Sequence, residues 1–253
     1  ISGTPVNANV GTHTITVSCS DGALSVSDQY TLTVVNTNDA TTVASAIADV
    51  STNEDAAYSL SVSGMCTDVD AGDSLAYTMS GAPSTITISG TTISGTPVNA
   101  DVGTHTITVT CTDDAGTTAS DSYVLTVANT NDAPTLANPI SDASVAEDAA
   151  YTLDVSAMCA DVDVGDTMAY SLAGAPTSLS VTSGVISGTP LNADVGTHTI
   201  TVTCTDSAGA TASDSYVLTV TNVNDAPTVA SAIADASTNE DAAYSLSVSG
   251  MCT

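Results

Sequence analysis

The sequence predicts an all-β protein, a tandem end-to-end array of seven-stranded Greek-key β-sandwiches. Three observations carry this. Apolar residues alternate with Ser and Thr at period two in run after run, the signature of half-buried strands. No segment sustains a 3.6-residue period. The whole pattern also recurs about every 93 residues, too long for a helical repeat or a propeller blade and suited to a sandwich domain of ~100 residues.

The repeat is explicit. ISGTPVNANVGTHTITV begins at Ile1, ISGTPVNADVGTHTITV at Ile93 and ISGTPLNADVGTHTITV at Ile186. The segments NTNDA, NTNDAP and NVNDAP place Asp39, Asp132 and Asp225 at a constant offset, and their Asn, Asp and Pro mark boundaries. The expected organisation is two complete repeats, 39–131 and 132–224, flanked by the C-terminal half of an earlier repeat (1–38) and the N-terminal part of a later one (225–253). On this reading the sequence is a window on a longer polypeptide. Residues 41–67 and 227–253 differ only at Thr41/Pro227 and Val50/Ala236, a hint of a two-repeat super-period.

Within 39–131 the apolar parity assigns faces. Tyr58, Leu60 and Val62 share one, as do Ile86 and Ile88. Another unites His105, Ile107, Val109 and Cys111, and another Tyr123, Leu125 and Val127. Cys111 therefore points inward, and Cys66 keeps the parity of Val62 through Gly64. In an Ig-type sandwich these early and late strands face each other across the core. The expectation is Cys66–Cys111 and Cys159–Cys204 disulfides, which imply an oxidising, extracellular compartment; reduced thiols packed as small hydrophobes are the alternative. Cys19 and Cys252 have no counterpart of this kind within the sequence, and a Cys252–Cys19 link between successive chains is conceivable.

Composition narrows function. The chain has 28 acidic residues, no Lys or Arg, and a formal net charge of −28. Phosphate contacts need Lys or Arg, so nucleic acid is excluded as a partner. There is no polybasic patch for anionic lipid and no apolar run of membrane-spanning length. Phe and Trp are absent, leaving Val, Ile, Leu, Ala, Met and 8 Tyr to build the core. The acids comprise 25 Asp and 3 Glu, and the Glu fall once per repeat at Glu54, Glu147 and Glu240. The His do the same at His13, His105 and His198, where a packed or core-edge role is expected. No G-x-S-x-G elbow is present, and nothing in the sequence supports catalysis.

The Asp residues recur in short motifs: CTDVDAGD (Asp68, Asp70, Asp73), CADVDVGD (Asp161, Asp163, Asp166), and an Asp two residues after each second Cys (Asp21, Asp113, Asp206). Two carboxylates ~4 Å apart repel by ~1 kcal/mol even at the dielectric constant of water. Without Lys or Arg, a cation is the available neutraliser. Calcium takes six to eight oxygens, commonly carboxylates and carbonyls. An EF-hand is ruled out, because positions six and twelve from Asp68 hold Asp73 and Met79. Zinc is disfavoured by the lack of C-x-x-C or H-x-x-x-H. Asp28, Asp121 and Asp214 read as solubilising surface charges.

Taken in order, E-D, D-x-D, T-D and N-x-N-D-A-P resemble cadherin-like repeats. With I-S-G-T-P and N-A-D-V-G-T, the chain resembles the dystroglycan-type cadherin-like and Ig-like tandem domains of large microbial surface proteins. That resemblance implies calcium bound between successive domains. The junction before 39–131 would use Asn38, Asp39, Asp68, Asp70 and Asp113. The junction before 132–224 would use Glu54, Asn131, Asp132, Asp161, Asp163 and Asp206. At a third, Glu147, Asn224 and Asp225 are present. The first linker Asp of the cadherin pattern is Asn36, Asn129 or Asn222 here, and the L-D-R-E motif is missing. Fewer ions per junction are therefore expected, about one.

The function expected is an extracellular structural or adhesive stalk, fibre or filament at the cell surface. Its partners are neighbouring repeats or copies of itself, with no direct membrane insertion by this segment. The alternative is a recognition module for carbohydrate or another cell-surface ligand.

Overall fold

The computed structural model describes residues 1–70 and 72–252. It divides into two compact units, Ile1–Asn131 and Asp132–Thr253.

The first unit contains β1 (Gly11–Ser20), β2 (Ser25–Val34), β3 (Thr42–Val43), β4 (Val50–Asn53), β5 (Tyr58–Ser61) and β6 (Cys66–Thr67). It continues with β7 (Ala76–Ser80), β8 (Ile86–Ser89), β9 (Thr92–Gly95), β10 (Gly103–Thr112) and β11 (Thr118–Ala128). β1 and β2 pair as an antiparallel hairpin. The remaining strands build a four-stranded sheet, β4-β11-β10-β7, and a three-stranded sheet, β5-β9-β8, with β3 paired to β6. Among the described residues of this unit, only the β11–β4 contact is parallel. The seven-strand pattern is thus present with two strands broken: the first into β3 and β4, the second into β5 and β6. Gly64, at φ +81°, lies in the turn that interrupts the second.

The second unit repeats this arrangement with β12 (Thr135–Leu136), β13 (Ala143–Ala146), β14 (Tyr151–Asp154), β15 (Cys159–Ala160) and β16 (Ala169–Ala173). It ends with β17 (Leu179–Thr182), β18 (Val185–Gly188), β19 (Gly196–Thr205) and β20 (Thr211–Thr221). Its sheets are β13-β20-β19-β16, β14-β18-β17 and β12-β15. Beyond β20, residue 229 makes an isolated bridge to residue 252.

In each unit the two larger sheets face one another over a core that alternation selects. Tyr58, Ile86 and Ile93 come from one sheet, and Ile107, Val109, Tyr123, Leu125 and Val127 from the other, all buried. The matching set in the second unit is Tyr151, Leu179, Ile186, Ile200, Val202, Tyr216, Leu218 and Val220. Their strand neighbours are mostly Ser and Thr and lie nearer solvent, so the pleat alone sorts the sequence into inside and outside. Cys66–Cys111 and Cys159–Cys204 are disulfides, each with a Cα–Cα distance of 6.6 Å, joining the second strand to the sheet that faces it. Cys19 and Cys252 are exposed and unbridged.

The ISGTP motif now has a structural reason. Ile93 is fully buried. A Cβ on Gly95 would sit 2.0 Å from the carbonyl oxygen of Thr85, just before β8, where Gly95 pairs with Ile86. The carbonyl of Pro97 accepts the N–H of Asp55 (2.8 Å), which holds a left-handed conformation at φ 56°. Pro190 and Asp148 repeat that contact at 2.8 Å.

His105 lies at the edge of the core and donates from Nε2 to the carbonyl of Asp101 (2.7 Å), and His198 does the same to Asp194 (2.7 Å). One expectation is corrected. Asp121 and Asp214 are not solubilising charges, for their carboxylates accept the N–H of Ile47 and of Ile140, each at 2.6 Å. Asp121 has the inward parity of Tyr123 and stands opposite Val109, so it meets the backbone leading into β4.

Candidate cation site

The acidic motifs lie on loops at strand ends, and in the first unit the D-x-D segment between β6 and β7 meets the N-x-N-D segment between β2 and β3. In the first unit Asp70 donates its N–H to Asp68 Oδ1 (2.9 Å), which folds the D-x-D back on itself. Thr41 donates its hydroxyl to Asp68 Oδ2 (3.0 Å). Asp39 donates its N–H to Asp70 Oδ2 (2.7 Å), joining the linker to the loop. Asn38 reaches Asp113 Oδ2 through its side-chain amide (3.2 Å), and Asn7 reaches Asp39 Oδ2 (2.8 Å). Asn38, Asp39, Asp68, Asp70 and Asp113, expected together, are linked by this network.

Asp113 also accepts the N–H of Thr117 (2.7 Å) and its hydroxyl. The Thr117 hydroxyl foremost, then the N–H groups and the Asn38 amide, hold the Asp113 carboxyl down at about 2 against the opposing effect of desolvation. Asp73 is pushed the other way. Desolvation comes first, followed by the carboxylates of Asp114, Asp68, Asp70 and Asp113.

The second unit repeats the construction. Asp163 donates its N–H to Asp161 Oδ1 (2.8 Å), Asp132 donates its N–H to Asp163 Oδ2 (2.8 Å), and Asp206 accepts the N–H of Ala210 (2.7 Å). Glu147 is 1% exposed and accepts the N–H of Val223 through Oε1 (2.7 Å); Glu54 is equally buried and accepts that of Thr130 (2.8 Å). Asn224 donates to the carbonyl of Asp225 (3.2 Å), whose carboxylate accepts from Asn192 (3.1 Å). Asn131 closes the first unit immediately before Asp132.

Two trios of carboxylates converge inside single units: Asp68, Asp70 and Asp73 in the first, and Asp161, Asp166 and Asp206 in the second. In each, one oxygen per residue lies within 4.8 Å of the others. Asp73 and Asp166 were absent from the expected ligand set; the signal for them was the third acid of D-x-D-x-x-D. Several buried carboxylate oxygens have no hydrogen-bond partner, namely Oε2 of Glu54 and Glu147, Oδ1 of Asp70, and Oδ2 of Asp73, Asp161 and Asp166. Leaving such an oxygen buried and unsatisfied costs ~1–3 kcal/mol or more. The donor set is entirely oxygen, and no Lys or Arg exists to compensate it. These residues fit a hard divalent cation such as calcium and do not fit zinc.

Paired sheets, intradomain disulfides and acidic loops define a protein of tandem Ig-like β-sandwich domains. The chain belongs to the family described as "Putative Ig domain", which matches residues 40–128 and 133–221. It is similar to the "Serine-rich adhesin for platelets" of Staphylococcus aureus (strain MRSA252), with 32% identity over 136 residues, covering 52% of this chain and 10% of the adhesin. The chain thus spans about a tenth of that relative's length. Among solved structures it is similar to mouse cadherin-23 EC22-24, with a TM-score of 0.56, 23% identity, and coverage of 84% of this chain and 74% of that one. Human mucin-like protocadherin EC1-2 has a TM-score of 0.51, 19% identity, and coverage of 70% and 97%. These two likenesses concern the fold. No helix among the described residues is long and apolar enough to cross a membrane.

Proposed function

We propose that this chain is part of an extracellular structural and adhesive stalk, fibre or filament, with repeat boundaries at 38/39, 131/132 and 224/225 stiffened by calcium. Its role is structural rather than catalytic. At the first boundary the ligands are Asn38, Asp39, Asp68, Asp70 and Asp113. At the second, Glu54 and Asn131 act with Asp132, Asp161, Asp163 and Asp206; at the third, Glu147, Asn224 and Asp225 contribute. The observation that carries the reading is Asp70, a 6% exposed carboxylate with an unpartnered oxygen beside two other carboxylates in a chain without Lys or Arg. Calcium supplies the missing positive charge and holds linker and loop together.

The test is thermal unfolding and small-angle scattering with calcium and with EDTA. Chelation is expected to lower the Tm and broaden the distribution of interdomain distances. Identical curves in both media would end the calcium reading.

A second reading, recognition of a glycan or another cell-surface ligand, is favoured by the match to a surface adhesin. The two roles are compatible, because a stiff array of repeats holds a binding surface away from the cell. Neighbouring repeats and further copies of the chain are the remaining partners.

A further inference from the structure

The third acid of the D-x-D-x-x-D loop has no place in the ligand pattern that the linker motifs define, yet both repeats carry it and in both it lies among the other carboxylates. We infer that Asp73 and Asp166 are calcium ligands, each closing a cation site from the carboxylates of a single repeat. This rests on the calcium reading only for the identity of the ion. Unlike the boundary sites, it needs no neighbouring domain.

Four observations support it. Asp68, Asp70 and Asp73 bring one oxygen each within 4.8 Å of one another, and so do Asp161, Asp166 and Asp206; the third acid, Asp73 or Asp166, joins the first acid of the D-x-D, Asp68 or Asp161, in both trios. Asp70 is 6% exposed with Oδ1 unpartnered, and the nearby Asp73 Oδ2 is likewise buried and unpartnered. In the second repeat Asp166 Oδ2, the counterpart of Asp73 Oδ2, is again buried and unpartnered, and so is Oδ2 of Asp161, the counterpart of Asp68. The loop is also shaped to deliver the third acid: Asp73 donates its N–H to the carbonyl of Asp70 (3.4 Å) and Asp166 to that of Asp163 (3.3 Å). Gly165 permits that turn at φ +97°.

The neighbouring side chains leave the third acid an available oxygen. In the first repeat Ser74 engages Asp114 instead, through its hydroxyl (2.6 Å) and its N–H (3.2 Å). In the second, the Ser207 hydroxyl takes Asp166 Oδ1 and leaves Oδ2. Three carboxylates cover half or fewer of the six to eight oxygens calcium takes, and carbonyls and water complete the shell.

The experiment is calcium titration calorimetry on the whole chain and on a D73N/D166N variant, with metal-free melting curves alongside. The expected result is binding weakened on the order of tenfold or more, through loss of a ligand charge, with the metal-free Tm no lower than the parent's, because the neutral side chain also relieves carboxylate repulsion. Calcium affinity and stoichiometry equal to those of the parent would overturn the inference. If the Asn variant loses its metal-free fold, D73E/D166E replaces it. A carboxylate displaced by one methylene is expected to weaken binding, and unaltered affinity again overturns the inference. A D39N/D132N variant separates the two readings. If it binds and melts like the parent in calcium, the boundary ligands fail while the loop site stands. No calcium binding by the parent removes both.

Discussion

The hydroxyls of Tyr58 and Tyr123 meet 3.1 Å apart in the core of the first unit, one from each facing sheet. Tyr151 and Tyr216 make the same contact at 3.2 Å in the second unit. Burial raises the pKa of both Tyr58 and Tyr123, so the pair remains neutral at physiological pH. In a core without Phe or Trp, these rings supply the largest buried volumes, and each hydroxyl answers the other.

The pair predicts strong non-additivity. Tyr123→Phe leaves the Tyr58 hydroxyl buried without its partner and is expected to cost ~1–3 kcal/mol. The Y58F/Y123F double variant removes both polar groups and should cost clearly less than the two single changes added together. Urea unfolding of the four chains measures this coupling, and simple additivity would deny the hydrogen bond a role in stability.

The two disulfides each close a separation of 45 residues. Loop entropy places the contribution of one such bridge at about 4 kcal/mol. Replacing Cys66 and Cys111 together with Ala should lower the stability of the first unit by roughly that amount and leave Cys159–Cys204 intact. Differential scanning calorimetry of the variant would show it, as would the parent under a reductant.

Asp121 and Asp49 stitch the first strand to the last from opposite directions. The Asp121 carboxylate accepts the N–H of Ile47 (2.6 Å), and that of Asp49 accepts the N–H of Val124 (2.7 Å). Asp121→Ala strands the Ile47 N–H and is expected to cost ~1–3 kcal/mol, whereas Asp121→Asn retains an acceptor and should cost less. Hydrogen exchange gives a local readout, with faster exchange at Ile47 in the Ala variant. Unchanged protection there would contradict the contact.

The lowered pKa of Asp113 fixes the sign of an acid effect. Its folded value, about 2, lies below the unfolded carboxyl value of ~3.9. The ionised group therefore favours the folded state above ~4, and this contribution disappears as pH falls from there toward 2. Asp73, whose pKa is raised, acts in the opposite sense: its contribution turns favourable as acid protonates it. In calcium-free buffer, the acid limb of the Tm–pH profile should be shallower for D113N than for the parent. Parallel limbs would show that the Thr117 and Asn38 contacts confer no net stability.

The sequence alone determined the repeat, the all-β class and the facing residues, and it pointed to the Cys66–Cys111 and Cys159–Cys204 pairs that the structure joins. These follow from one-dimensional regularities, a period of two along each strand and a fixed offset between copies, which the pleat converts directly into sides of a sheet. Asp121 shows where that reading stopped. Its parity with Tyr123 was visible, but its use depended on the backbone at Ile47, 74 residues earlier. Gly95 is similar, since its conservation among the three copies is plain but the Thr85 carbonyl that forbids a side chain there is not. The acidic site divides in the same way. Residue type and linker motifs pointed to a cation, because closely spaced carboxylates without Lys or Arg leave few other means of neutralisation. Only the tertiary structure brought Asp73 and Asp166 into the carboxylate trios and buried an oxygen of Asp70 without a partner. Convergence and desolvation depend on distances between loops, which no local pattern encodes.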